Sequence, residues 1–297
     1  MASQSADQDQ DQDQAHDFAI MGVVNVTPDS FFDGGLYADA EVAIAHGLEL
    51  AAEGAAILDI GGESTRPGAE PVDAGAELER VLPVIEALRH QGVGAEISID
   101  TSKAAVAAQA LDAGAAIVND VTALRGDPEM AGLVAARGVR CCLMHMLGEP
   151  RTMQEDPRYD DVVSEVKAFL EERMTCAVAA GIREERLLLD PGIGFGKTVA
   201  HNLELLARLD ELVALGRPVV IGTSRKSFLG RVTGRPLDDR LAATIATNVL
   251  AYERGARVFR VHDVAPVRDA LVIAGATVRR RWPTTTPTTS TKRTLTT

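Results

Sequence analysis

Eight short apolar runs, each ending on a polar side chain or a glycine and followed by a helix-patterned stretch, constrain this chain more than any other feature. The runs lie near 19–26, 55–60, 95–100, 115–120, 139–144, 186–190, 218–222 and 257–261. Leu187-Leu188-Leu189-Asp190-Pro191-Gly192 is typical: it lacks polar alternation, as a strand buried on both faces does in a parallel sheet covered by helices. The stretches 40–53, 76–90, 103–113, 160–180, 202–215 and 239–254 mix apolar stripes with charge at helical spacing. A glycine marks the end of each of these turns back to the sheet, for example Gly54, Gly92 and Gly181. Roughly eight strand–helix repeats in about 250 residues predict a single-domain TIM (β/α)8 barrel, with its chemistry at the carboxyl ends of the strands. A doubly wound open sheet is the runner-up.

The Asp-Gln repeats of residues 1–17 cannot bury enough apolar surface to order themselves, and the Thr- and Pro-rich residues 283–297 read the same way. The barrel is therefore assigned to residues 18–282. With 43 acidic against 30 basic side chains, a net charge of -13 speaks against a nucleic-acid groove. No apolar run is long enough to span a membrane, and no basic-then-apolar leader is seen, so a cytoplasmic protein is expected. Three cysteines, 141, 142 and 176, give neither a disulfide framework nor a metal spacing, which fits a reducing compartment.

The polar strand ends Asp100, Asn119 and Asp190 would converge on one mouth. A carboxylate there can accept paired N–H bonds from the edge of a flat nitrogen heterocycle, and an amide can donate and accept beside it. The competing reading is that each caps the following helix, as Asp120 beside Asn119 could. Arg66, Lys226, Arg260 and His262 would bring cations to the same mouth of an acidic chain, implying an anionic ligand such as phosphate. Ser224-Arg225-Lys226-Ser227 is expected to open a short helix whose N–H groups favour that anion, while Arg225 alone reads as a surface residue. Long loops at 27–38 and 61–73 are candidate lids that order when ligands bind.

Two motifs are set aside. Pro191 stands where the first glycine of a phosphate-binding loop belongs, although Gly196-Lys197-Thr198 follows. His145 has no second histidine at chelating distance and reads as structural.

Met21 to Phe31, Gly61 to Gly68, Ile99-Asp100-Thr101, Val118-Asn119-Asp120, Leu189 to Gly192, Ser224 to Ser227 and Arg260 to Asp263 together resemble the dihydropteroate synthase family. The resemblance spans about residues 20–274 and implies a TIM barrel that joins p-aminobenzoate to 6-hydroxymethyl-7,8-dihydropterin diphosphate, with Mg²⁺. It implies that Asp100, Asn119, Asp190, Lys226 and Arg260 bind the pterin, with catalysis shared by Asp100, Asp190, Lys226, Arg260 and His262. Thr65, Arg66, Arg260 and His262 would receive the diphosphate, and Asn25 would help hold Mg²⁺. Phe31, Thr65, Pro67, Phe195 and Ser227 would surround the aminobenzoate, although both phenylalanines could equally anchor loops. A homodimer through outer helices is implied as well. Phe32 departs from the small residue often found there, which bears on sulfonamides as aminobenzoate mimics. A noncatalytic pterin binder and a pterin-binding methyltransferase barrel remain as alternatives, neither of which needs the cations for a leaving diphosphate.

Overall fold

The computed structural model describes residues 17–26, 35–64, 69–149 and 151–279. Within them run eight strands: β1 (Ala19–Asn25), β2 (Ile57–Gly61), β3 (Glu96–Asp100), β4 (Ile117–Asp120), β5 (Arg140–Met144), β6 (Leu187–Asp190), β7 (Val220–Ile221) and β8 (Val258–Val261). All pairings are parallel in the order β6-β5-β4-β3-β2-β1-β8-β7, and a bridge between Leu189 and Val219 brings the two edges together. The eight repeats thus curl into a nearly closed barrel, and the open doubly wound sheet is excluded.

Helices cover the outside: α1 (Gly35–Ala52), α2 (Ala74–His90), α3 (Ala104–Asp112), α4 (Met130–Arg137), α5 (Val162–Ala179), α6 (Val199–Ala207), α7 (Asp210–Val213), α8 (Ser227–Thr233), α9 (Leu241–Glu253) and α10 (Val264–Arg279). The stretch expected as one helix over 202–215 is instead two, broken at Arg208, whose backbone leaves helical geometry at φ -112°. Nothing in the local sequence marks that break, because it contains neither glycine nor proline. The Arg208 guanidinium there gathers Glu204, Glu211 and, from the start of α5, Asp161 at 2.7–2.9 Å.

Period-two alternation explains how this scaffold builds a floor and a rim. Met21, Ile57, Ile117, Cys142, Leu188, Val220 and Val258 face inward and pack into one apolar layer. Outward neighbours such as Leu58, Ile99, Val118, Leu189 and Phe259 join the larger core beneath the helices. Two residues further along the inward face come Asp59 after Ile57, Asn119 after Ile117, Asp190 after Leu188 and Arg260 after Val258. An apolar floor therefore lies directly under a polar rim.

Of the expected unstructured ends, only Asp17 falls among the described residues; its carboxylate accepts a bond from the Tyr252 hydroxyl at 2.8 Å. No helix among these residues is long and apolar enough to cross a membrane.

Candidate active site

Arg260, on the inward face of β8, is held by two carboxylates. Its Nε donates to Asp59 Oδ2 at 2.6 Å and its Nη2 to Asp100 Oδ2 at 2.8 Å. These anions hold the guanidinium above its ordinary pKa although burial alone would lower it. Asn119 Nδ2 donates to the same Asp59 oxygen at 3.0 Å. Burial pushes the Asp100 carboxyl up to about 7, with the Arg260 charge pulling the other way.

Across the mouth, Asp190 ends β6 and accepts the Gly192 N–H at 2.6 Å through Oδ1. Burial raises its carboxyl, against the pull of Lys226 and Arg260. Lys226 follows β7; burial lowers its ammonium to about 8, with Asp190 opposing. It donates to the Ile193 carbonyl and lies 4.7 Å from the centre of the Phe195 ring. Gly222, after β7, lies between the two cations: a Cβ there would stand at an ordinary contact distance of 3.9 Å from both Lys226 Nζ and Arg260 Cβ. Asp100, Asn119, Asp190, Lys226 and Arg260 thus meet at one mouth, as their strand-end positions predict.

His262 continues from β8 beside Ser224, with Nδ1 2.9 Å from the serine hydroxyl oxygen, which also accepts the His262 N–H at 3.2 Å. Arg225 pairs with Asp263 on the outside, consistent with a surface role. The short helix expected after Lys226 is α8, and Ser227 at its start is exposed. Asn25 closes β1, half-buried. Phe31, Thr65, Arg66 and Pro67 lie outside the described residues, as do Phe32, residues 27–34 of the first expected lid and residues 65–68 of the second.

The helix-capping alternative fails, because α3 and α4 start from Lys103 and Glu129 without a side-chain cap and α6 starts from Thr198. Asp120 takes the Thr122 N–H, the Thr122 hydroxyl and the Leu124 N–H at 2.7–2.8 Å, so its neighbour Asn119 is left to the barrel interior.

The glycine-rich loop after β6 does not offer its lysine to a ligand. Lys197 is buried, donates to the Phe195 carbonyl at 3.0 Å and has Nζ 2.9 Å from His145 Nδ1. Burial drives this amine well below its usual pKa and, with the nearby Lys197, takes His145 down to about 2. His145 is therefore a neutral partner holding the loop, and among the described residues no three His, Cys, Asp or Glu side chains gather as a metal site.

Three groups have partners that the sequence does not reveal. Asp59 ends an apolar run after Leu58 in the sequence, but β2 continues two residues beyond it and its partners Asn119 and Arg260 come from other strands. Lys103 bridges Glu63 at 2.6 Å and the fully buried Glu77 at 2.5 Å, tying the base of the second long loop to α2. Glu63 also accepts the Val72 N–H at 2.9 Å, joining the loop's two stems. Lys197 reads from the sequence as a phosphate-loop lysine; its position within an otherwise apolar and glycine-rich stretch is the available sign of burial.

The model of pterin binding enzymes matches residues 21–262. A dihydropteroate synthase of Mycobacterium leprae is 50% identical over 264 residues, covering 86% of this chain and 92% of its own. The dihydropteroate synthase of Escherichia coli is 45% identical, covering 87% and 91%. Among solved structures, a Xanthomonas albilineans dihydropteroate synthase with 4-aminobenzoic acid superposes with a TM-score of 0.83 at 51% identity, over 88% of this chain and 93% of that one. The same enzyme with 7,8-dihydropteroate gives 0.80 at 49%, over the same shares. A Yersinia pestis dihydropteroate synthase in a sulfonamide complex gives 0.83 at 44%, over 88% and 94%.

Proposed function

This chain belongs to the dihydropteroate synthases among the pterin-binding enzymes, and from that premise we propose how its rim performs the reaction. The enzyme joins p-aminobenzoate to (7,8-dihydropterin-6-yl)methyl diphosphate, giving 7,8-dihydropteroate and diphosphate on the folate pathway. One observation carries the assignment of roles: Arg260, braced by Asp59 and Asp100, shares a mouth with Lys226 and Asp190.

In this reading Asp100, Asn119 and Asp190 hold the pterin edge, Lys226 meets its carbonyl and ring nitrogen, and Arg260 stacks over its face. As the C–O bond to diphosphate breaks, positive charge spreads into the ring. Asp100 and Asp190, already in place, stabilise it with little reorganisation. Arg66, Arg260, His262 and Thr65 receive the leaving diphosphate. The aminobenzoate lies among Phe31, Thr65, Pro67, Phe195 and Ser227; its weakly basic amine needs placement more than a strong base. The apolar floor keeps water from reaching the carbocation from below.

Asn25 would hold Mg²⁺. A single amide oxygen at the rim suits that ion, which keeps waters and substrate phosphate oxygens rather than demanding a protein cage. When bound, Mg²⁺ neutralises charge developing on the diphosphate. The free thiols of Cys141, Cys142 and Cys176 support a cytoplasmic setting. Of the ten exposed large apolar side chains among the described residues, Val232, Leu237, Leu241, Leu250, Ile273 and Val278 lie on or between α8, α9 and α10, which supports a homodimer through these helices.

Diphosphate release should require p-aminobenzoate, the pterin diphosphate and Mg²⁺ together. Release that ignores aminobenzoate, or methyl transfer from a pterin, would overturn this reading. A sulfonamide should compete with aminobenzoate.

A further inference from the structure

Asp59 is fully buried, yet only one of its oxygens is engaged. Oδ2 accepts from both Arg260 Nε and Asn119 Nδ2, while Oδ1 is buried with no hydrogen-bond partner. An unpartnered carboxylate oxygen in such a place is costly, so the geometry that imposes it must be fixed by its surroundings. Those surroundings are rigid: Asp59 stands one step above Ile57 of the apolar floor, in the middle of β2, with β1 and β3 paired on either side.

The two groups it engages come from β4 and β8, on opposite flanks of β2, and both belong to the proposed pterin pocket. For Asn119 the contact decides the orientation of the amide. One N–H is committed to Asp59, so Oδ1 and the second N–H are left for a ligand. The reversed amide would set two acceptor oxygens against each other. For Arg260 the contact at Nε fixes the edge of the guanidinium, leaving its flat face to a ring.

We propose that Asp59 is a positioning residue that sets the amide orientation of Asn119 and the plane of Arg260, and thereby the pocket's selectivity for the donor–acceptor pattern of a pterin edge. The inference rests on the pterin pocket proposed above. It differs from the roles assigned there because Asp59 reads the heterocycle only through its neighbours.

The test compares wild type with Asp59→Asn, which keeps the shape and removes the charge. Both are assayed for dihydropteroate formation with each substrate varied in turn, and both for binding of a pterin without diphosphate. Asp59→Asn should raise the KM for the pterin diphosphate and weaken the plain pterin about tenfold, as expected for losing charge-assisted bonds. The KM for aminobenzoate should move less than about twofold. The loss of pterin affinity should also shrink when Asn119→Ala is already present, since much of it passes through that amide. Wild-type pterin affinity in Asp59→Asn, equal loss for both substrates, or strictly additive losses with Asn119→Ala would overturn the proposal. Failure of the wild type to make dihydropteroate would instead overturn the assigned reaction. If Asp59→Asn does not fold, the wild-type pterin complex decides. Asn119 Nδ2 must stay on Asp59 with Oδ1 or the second N–H on the ligand, and the flipped amide would refute the idea.

Discussion

The Lys226 ammonium lies 4.7 Å from the centre of the Phe195 ring while also donating to the Ile193 carbonyl, so this cation is anchored twice on the glycine loop after β6. A cation over an aromatic face is worth about 0.5–2 kcal/mol, more as water is excluded. Phe195→Leu keeps an apolar side chain but loses the ring. It should raise the KM for aminobenzoate about three- to tenfold with a smaller change for the pterin diphosphate. Steady-state kinetics with each substrate varied decides; a change confined to the pterin would assign Phe195 to the other subsite.

In the proposed mechanism Asp190 stabilises the ring cation and not the aminobenzoate. Asp190→Asn retains an acceptor for the Gly192 N–H but removes the charge. It should lower kcat about a hundredfold, the scale of losing one preorganised electrostatic partner. The KM for aminobenzoate should change less than about threefold. The reverse pattern would reject this role.

Two groups of the pocket titrate within the working range: Asp100, raised by burial to about 7, and Lys226, lowered by burial to about 8. In the proposed mechanism the cationic ring is held by the Asp100 carboxylate, which forms as pH rises, and the pterin carbonyl by the Lys226 ammonium, which is lost as pH rises. The profile of kcat/KM for the pterin diphosphate should therefore be a bell with limbs near 7 and 8. Asp100→Asn should remove the acid limb and Lys226→Arg the alkaline one. For stability the sign follows from the raised carboxyl. Its contribution is fully present below the unfolded value of about 3.9 and lost as pH rises towards the folded value. Relative to Asp100→Asn, the wild-type Tm should fall between pH about 4 and about 7; a relative rise over that range would refute the raised carboxyl.

Much of this site is legible in the sequence because a parallel strand hides both faces, so a polar residue at its end has few places to go but the mouth. Asp100, Asn119 and Asp190 are visible for that reason. Asp59 shows as a polar side chain after Leu58, but its role does not, since that depends on which face of β2 looks inward and follows from register with β1 and β3. Register likewise decides that Asn119 serves the interior while Asp120 caps a turn. The split of 202–215 and the inward turn of Lys197 depend on partners distant in sequence, Asp161 and His145.

The exposed apolar side chains Leu250 on α9 and Ile273 on α10 should mark the homodimer contact, since these two helices pack side by side. Wild type should sediment as a dimer. Leu250→Lys combined with Ile273→Lys should shift it to monomer by placing unpaired charge in the contact. A monomeric wild type, or a variant that stays dimeric, would move the interface elsewhere or remove it.

Gly192 controls whether the loop bearing Phe195 can lie where it does. It adopts φ +65°, and a Cβ there would stand 1.8 Å from the His145 carbonyl oxygen, a backbone atom that cannot swing aside. That carbonyl belongs to the segment following β5, whose His145 N–H donates to Asp190 O at 2.9 Å. Moving it would pull on the strand end that presents the Asp190 carboxylate. Gly192→Ala thus combines backbone strain with a clash against a fixed ladder, and should cost about 2–4 kcal/mol of stability. The Asp190 carboxylate also loses the position of its Gly192 N–H, so activity should fall further than the unfolded fraction alone explains. Urea unfolding measured alongside kcat/KM at a temperature where the variant is still folded separates the two effects. Unchanged stability would mean the loop can retreat from His145, and wild-type kcat/KM in the folded variant would mean that Asp190 is held by something other than this turn.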